Sequence, residues 1–231
     1  CISSAASDVY KRQLLPYSPP VFNPCFFKKG SARPAGALVI QMRVAVRRIN
    51  EWDAPSMLKI YAPYVENTNC TPDETAPPLA EYIQRIDRYT YGRGWIMTEI
   101  DSATAGFCLL TERGVEPADR FTADIQLYVA PEYQRRGVGA SLYSLMLAIM
   151  HHANYRRVTA HIALPNDAAR AFHERMGFRP VREENGVLLM AREIEPENPE
   201  ADRFTKPYLI ENEDYERARE HAASLVRGAA H

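Results

Sequence analysis

"VAPEYQRRGVGASLY", residues 129–143, closes an apolar alternating run and opens an apolar helical one, with two arginines and two glycines between them. A strand that turns through glycines into a helix leaves the first backbone N–H groups of that helix without partners. These groups converge on one spot, where the helix dipole also favours negative charge. Gly137 and Gly139 remove side chains that would block a close approach, and Arg135 and Arg136 add mobile positive charge. The stretch reads as a phosphate-binding turn. It is not a dinucleotide fingerprint, because "GVGASL" carries leucine where the third glycine belongs and the next strand does not end in an acid. Nor is it a P-loop, which needs Gly-Lys-Ser/Thr.

Working outward, "FTADIQLYV" before the turn alternates strictly: Phe121, Ala123, Ile125, Leu127 and Val129 form one face, and Thr122, Asp124, Gln126 and Tyr128 the other. After it, residues 137–152 place Val138, Leu142, Leu145, Met146 and Ile149 on the buried side of a helix. "RRVTAHIAL" follows as a strand. "NDAARAFHERM" is then a helix capped by Asn166 or Asp167, with Gly177 where a left-handed cap belongs. The Asn-Gly of "FRPVREENGVLLMAREI" signals a hairpin. Upstream, "RVAVRRI" predicts a strand. Asp53 and Pro55 then start a helix bearing Met57, Ile60, Tyr61, Tyr64 and Val65. A second helix carries Leu79, Tyr82, Ile83 and Ile86 on one stripe, and "WIMTEI" and "AGFCLLTE" form a hairpin. The predicted order β–α–α–β–β–β–α–β–α–β–β gives an α/β mixed, mostly antiparallel sheet with helices on both faces.

The pattern begins at Met42. Residues 1–41 hold five prolines and no sustained period, which predicts an unstructured or non-native extension. Residues 42–194 make one domain, and 195–231 an acidic, proline-bearing linker followed by a helix. Tyr215, Ala218, Ala222 and Leu225 give that helix a weak apolar stripe, so docking on the domain, pairing with a second subunit in a homodimer, and mobility all stay open.

Composition narrows the partners. With 28 Lys+Arg against 29 Asp+Glu, the formal net charge of −1 supplies no general attraction to nucleic acid or acidic membranes. "AGALVI" is too short to span a bilayer, and no signal-peptide layout is present. The four cysteines are scattered without a CxxC pair, so reduced thiols in a cytoplasm are expected, with no metal.

Gln134 to Ala140, "QRRGVGA", fits (Gln/Arg)-x-x-Gly-x-Gly/Ala between a strand and a helix and resembles the pyrophosphate loop of the GNAT superfamily of N-acyltransferases. "IYAPYVENTNCT", "LYVAPEYQRRGVGASLY" and the "LPND…HE..GF" stretch are together most similar to the phosphinothricin acetyltransferase branch, over Arg43 to Ile194. The resemblance implies a sheet splayed between two central strands, with the pantetheine arm of acetyl-CoA in the gap. It implies that Leu127, Tyr128 and Val129 contact that arm, that Arg135, Arg136, Gly137, Val138, Gly139 and Ala140 cradle the pyrophosphate, and that Asn166 meets the cofactor's arm.

Acetyl transfer to an amine requires a proton to leave the ammonium, the thioester oxygen to be stabilised, and the departing thiolate to be protonated. Asp124, a carboxylate on a central strand, matches the branch's catalytic glutamate and is the expected general base. It is one methylene shorter, which leaves direct and water-mediated contact both open. His173 stands at the position from which relatives protonate the thiolate or orient the cofactor. The backbone N–H of Val129 or a neighbour is the expected oxyanion donor. Tyr61, Tyr64, Asn67 and Thr68 match residues that shape the acceptor pocket. His151 and His152 at a helix end are explained by the dipole, and His161 reads as an interior or sheet-face histidine. The branch's acceptor loop is not well matched by "TERGVEPADR". The expectation is therefore acetylation of a small amine or amino-acid-like acceptor, with a protein N-acetyltransferase or a non-catalytic acyl-CoA-binding module as alternatives.

Overall fold

A computed structural model describes residues 42–90, 95–112, 119–202 and 213–229. The expected extension over 1–41 and most of the loop 113–120 lie outside the described residues.

β1 (Val44–Arg48), β2 (Ile96–Ile100), β3 (Ala103–Glu112), β4 (Thr122–Val129), β5 (Arg157–Ala163), β6 (Arg179–Glu184) and β7 (Val187–Glu193) form one sheet in the order β1-β2-β3-β4-β5-β7-β6. All neighbours are antiparallel except β4 and β5. The hairpin turns explain the register. Asp101 and Ser102 (φ 50° and 69°) join β2 to β3, and Asn185 and Gly186 (φ 52° and 74°) join β6 to β7. Two successive left-handed residues give the turn twist that a two-residue hairpin needs.

Helices cover both faces. α1 (Ala54–Asn67) and α2 (Leu79–Thr90) lie on one, where Met57, Tyr61, Tyr82, Ile86 and Trp95 pack with Phe107 and Tyr128. α3 (Val138–His152), the crossover between the two parallel strands, covers the other with Leu142, Leu145, Met146 and Met150 fully buried. α4 (Asp167–Arg175) follows β5. The C-terminal helix α5 (Glu213–Gly228) packs along α3 and β1, so of the open arrangements it adopts the docked one. Its buried stripe is Tyr215, Ala222, Ala223 and Val226, and Arg48 of β1 stacks its guanidinium 5.2 Å from the Tyr215 ring.

Two local expectations are corrected. Asp53 stands at the N-cap position of α1 as expected, but its side chain makes no capping bond there; a 3-10 turn Glu51–Asp53 precedes α1, and Asn50 caps that turn by accepting from the Trp52 amide at 2.9 Å. Asp53 is held instead by Arg47 at 2.7 Å, which also grips Glu99. Leu79 is 42% exposed rather than buried, because it stands at the first position of α2, and the buried stripe starts at Tyr82. No helix among the described residues is long and apolar enough to cross a membrane.

Candidate active site

The turn after β4 is built as its sequence requires. A 3-10 turn, Pro131–Tyr133, leads to Arg135 (φ 57°) and Gly137 (φ 79°), both left-handed, and α3 starts at Val138 without a side-chain cap. The first helical bond runs from the Ser141 amide to the Gly137 carbonyl at 2.9 Å, so the amides of Val138, Gly139 and Ala140 have no partner within the helix. Close packing shapes the cradle around them. A Cβ on Gly139 would meet the Phe172 ring at 3.2 Å, and one on Gly137 would meet the Leu225 carbonyl of α5 at 2.5 Å. Arg136 lies over the Tyr133 ring, and neither Arg135 nor Arg136 is ion-paired within the described residues. Free amides, a helix N-terminus and unneutralised guanidiniums together suit a pyrophosphate.

Beside the turn, the sheet opens. β4 and β5 pair only at Thr122–Arg157, Ala123–Val158 and Asp124–Thr159, although both strands continue. Leu127, Tyr128 and Val129 therefore border a slot. Tyr64 of α1 reaches its mouth, where its hydroxyl donates to the Val129 carbonyl at 2.7 Å and lies 3.4 Å from the Val129 amide. Asp124 sits at the vertex. Its carboxylate accepts from the Thr159 hydroxyl of β5 and lies 3.7 Å from the His161 ring nitrogen Nδ1.

A family model described as the acetyltransferase (GNAT) family matches residues 54–178, which include the vertex, the slot and the cradle. The chain belongs to the GNAT acetyltransferase family. Phosphinothricin N-acetyltransferase of Streptomyces viridochromogenes is 26% identical over 135 residues, covering 58% of this chain and 74% of the relative. The enzyme of that name from Alcaligenes faecalis is 26% identical over 145 residues, 62% of this chain and 74% of its own. Among solved structures, a phosphinothricin acetyltransferase from Sinorhizobium meliloti in complex with acetyl-CoA shares the fold at a TM-score of 0.62 and 22% identity, over 70% of this chain and 93% of that one. A ribosomal-protein-alanine N-acetyltransferase from Brucella melitensis shares it at 0.58 and 22%, over 64% and 99%.

In this GNAT chain a cavity of about 300 Å³ opens on the α1–α2 face of the sheet. Tyr61, Tyr82, Trp95 and Tyr128 form its aromatic walls, and Arg85 and Gln126 supply polar groups. Thr111, directly opposite Asp124 in the β3–β4 register, also lines it, so cavity and vertex adjoin. Burial raises the phenols of Tyr61, Tyr82 and Tyr128 well above the ordinary tyrosine value, so they act as neutral hydrogen-bonding groups and not as bases. Asp73 ties the α1–α2 connection in place by accepting from the Tyr61 hydroxyl at 2.7 Å and from both Arg85 terminal nitrogens.

The remaining expected residues separate into two groups. Asn166 caps α4 by accepting from the Ala169 amide at 3.0 Å, and its Nδ2 points to Cys70 Sγ at 3.5 Å. The connection after α1 thus meets the β5–α4 connection. Asn67 and Thr68 do not line the cavity. They donate to the carbonyls of Pro63 and Tyr64 at 2.9 and 2.6 Å, closing the end of α1.

His173 is buried among Tyr143, Phe172 and Phe178, and both ring nitrogens are engaged. Its Nδ1 faces the Ala169 carbonyl at 2.7 Å, where only an N–H can bond, which leaves Nε2 to accept from the Tyr143 hydroxyl at 2.7 Å. Burial draws this imidazole below its ordinary value, so it is held neutral. The consequence for stability has a definite sign. Unfolded histidine titrates near 6.5, so below about that pH the unfolded chain binds the extra proton first and stability falls as pH drops. We expect the denaturation midpoint to decline below about pH 6.5 and H173Q to flatten that decline, as read by thermal melts across pH.

The residue that sequence reasoning undervalued is His161. Thr159 and His161 lie two apart on β5 and share the face of Asp124, a relation that follows once β4 and β5 are known to be parallel and paired at Asp124–Thr159.

Proposed function

We propose that this chain moves an acetyl group from acetyl-CoA to the primary amine of a small, amino-acid-like acceptor. The observation that carries the reading is the junction of three features at one place: the uncapped start of α3, the slot between β4 and β5, and a carboxylate at its vertex. Acetyl-CoA, when bound, supplies the activated thioester.

Arg135, Arg136 and the amides from Gly137 to Ala140 hold its pyrophosphate, and the backbone of Leu127, Tyr128 and Val129 lines its arm. Asn166 contributes from the start of α4. Asp124 at the vertex supplies the carboxylate on which deprotonation of the amine depends. His173, with both nitrogens occupied, orients α4 and thereby Asn166. The aromatic cavity beside Thr111 and Gln126 takes the acceptor, and its size favours a small molecule over a peptide. The reading places the domain at residues 42–194, with 195–231 as its linker and buttressing helix. It includes a homodimer as well, for which β6, exposed at all six positions and unpaired on its outer side within the described residues, offers an open ladder edge.

Thiol release from acetyl-CoA, followed across phosphinothricin, α-amino acids and simple amines with mass detection of the product, tests the activity. Acetylated product from at least one acceptor is the expected result. Silence across the panel from protein that binds CoA by calorimetry rejects it. Sedimentation reads the oligomeric state.

A further inference from the structure

We propose that His161 takes the proton from the acceptor's ammonium group, with Asp124 as its positioning partner. The proposal rests on the transfer reading above and assigns a second residue to that same site.

Geometry carries it. Alternation along β5 places Thr159 and His161 on the face that Asp124 shares, and the β4–β5 ladder ends at the Asp124–Thr159 pair. His161 therefore borders the open slot instead of a neighbouring strand on that side. Its Nδ1 lies 3.7 Å from the Asp124 carboxylate, an ion-pair distance, and its side chain is 47% exposed. Nε2, on the far side of the ring, has no partner among the described residues. The Thr159 hydroxyl donates to the same Asp124 oxygen, so that oxygen is committed to β5. An aspartate is also one methylene shorter than a glutamate. An imidazole attached to it restores the lost reach. Imidazole is also the side chain that most often serves as a general base. The other histidine near the cradle, His173, is closed to this role by its two hydrogen bonds.

Nε2 takes a proton from the ammonium, and the imidazolium formed is neutralised by the Asp124 carboxylate. The freed amine lone pair forms the carbon–nitrogen bond at the thioester carbonyl as the carbon–sulfur bond breaks. Sulfur leaves with the electron pair and takes the second amine proton, through solvent, to become the thiol, and the imidazolium releases the first proton to solvent, which returns His161 to its neutral form. On this face of β5 the other ionisable groups are Arg157, paired with Glu193 at 2.6 Å, and Arg179, Arg182 and Glu184 of β6, the last two 3.6 Å from each other.

The test is H161Q, assayed with whichever acceptor of the panel the unmodified protein acetylates fastest. We expect kcat/KM for the acceptor to fall about 100-fold, with loss of the acid limb of the pH profile and no change in acetyl-CoA binding by calorimetry. Adding D124N to H161Q costs little more than either change alone, because the two act as a unit. H161Q activity within about twofold of the unmodified protein, or losses that multiply in the double variant, overturns the proposal. Absence of turnover by the unmodified protein sinks the transfer reading and this proposal together, whereas turnover that survives H161Q sinks this proposal alone.

Discussion

Asp124→Asn slows acetyl transfer by about two orders of magnitude and leaves acetyl-CoA binding unchanged. The asparagine side chain has the same shape, and its carbonyl oxygen still accepts from the Thr159 hydroxyl, so the vertex of the sheet keeps its geometry. What is lost is the negative charge. Without it the site can neither accept a proton directly nor balance one on the adjacent imidazole 3.7 Å away. Val129, where β4 ends and the turn to the cradle begins, stands about 17 Å from Asp124, at about 3.4 Å per residue over five residues, and the Asp124 carboxylate contacts Thr159 and His161 of β5 instead of the cradle. Stopped-flow or steady-state rates with calorimetry on the same preparation separate the two quantities. Unchanged kcat would remove Asp124 from the chemistry, and a loss confined to KM would make it an acceptor-binding group.

Gly137→Ala has the second large effect, and it acts on the fold. Any L side chain in the left-handed region costs about 1–2 kcal/mol. Here the added Cβ also arrives 2.5 Å from a backbone carbonyl, Leu225 of α5, which cannot rotate aside as a side chain would. Either α5 shifts or the turn does, and the turn carries the amides of the cradle. Gly186 provides the internal control. It has nearly the same φ, 74° against 79°, but nothing within 4 Å of its Cβ position. We expect Gly186→Ala to lower the melting temperature by about 2–8 °C, the backbone cost alone for a domain of this size, and Gly137→Ala to lower it further and weaken acetyl-CoA binding about tenfold or more. Equal melting temperatures for the two variants would show that α5 does not buttress the turn.

Much of this was legible in the residues. The elements from β1 to β7 follow from alternation and helical spacing, and Asn185-Gly186, Gly177 and Asn166 punctuate them where their φ values and hydrogen bonds require. The cradle was legible because glycines and arginines at a strand-to-helix turn have few other uses. Other features depend on tertiary partners and leave no local trace. Asp53 is a good cap by type, and only the presence of Arg47 across β1 shows why its carboxylate is engaged elsewhere. Asn67 and Thr68 match pocket residues by position, yet their hydrogens go to the carbonyls at the end of their own helix. His161 became informative only when strand direction and register were known. A helix with a sparse apolar stripe such as α5 reads as docked, paired or free until the neighbour that buries Tyr215 and Val226 is known.

The three-residue pairing of β4 with β5 gives the sheet an unusual boundary. Most sheets have two edges, and this one has a further pair facing each other in its middle, open towards the carboxyl ends of both strands and closed at Asp124–Thr159. The two interior edges together form a V. The same V works as a depth gauge. A slender chain entering from the α3 end can advance only as far as the vertex, so its tip halts beside the carboxylate whatever the grip on its tail. Chain length, measured against a fixed stop, then becomes a criterion of selection that no pocket wall has to supply.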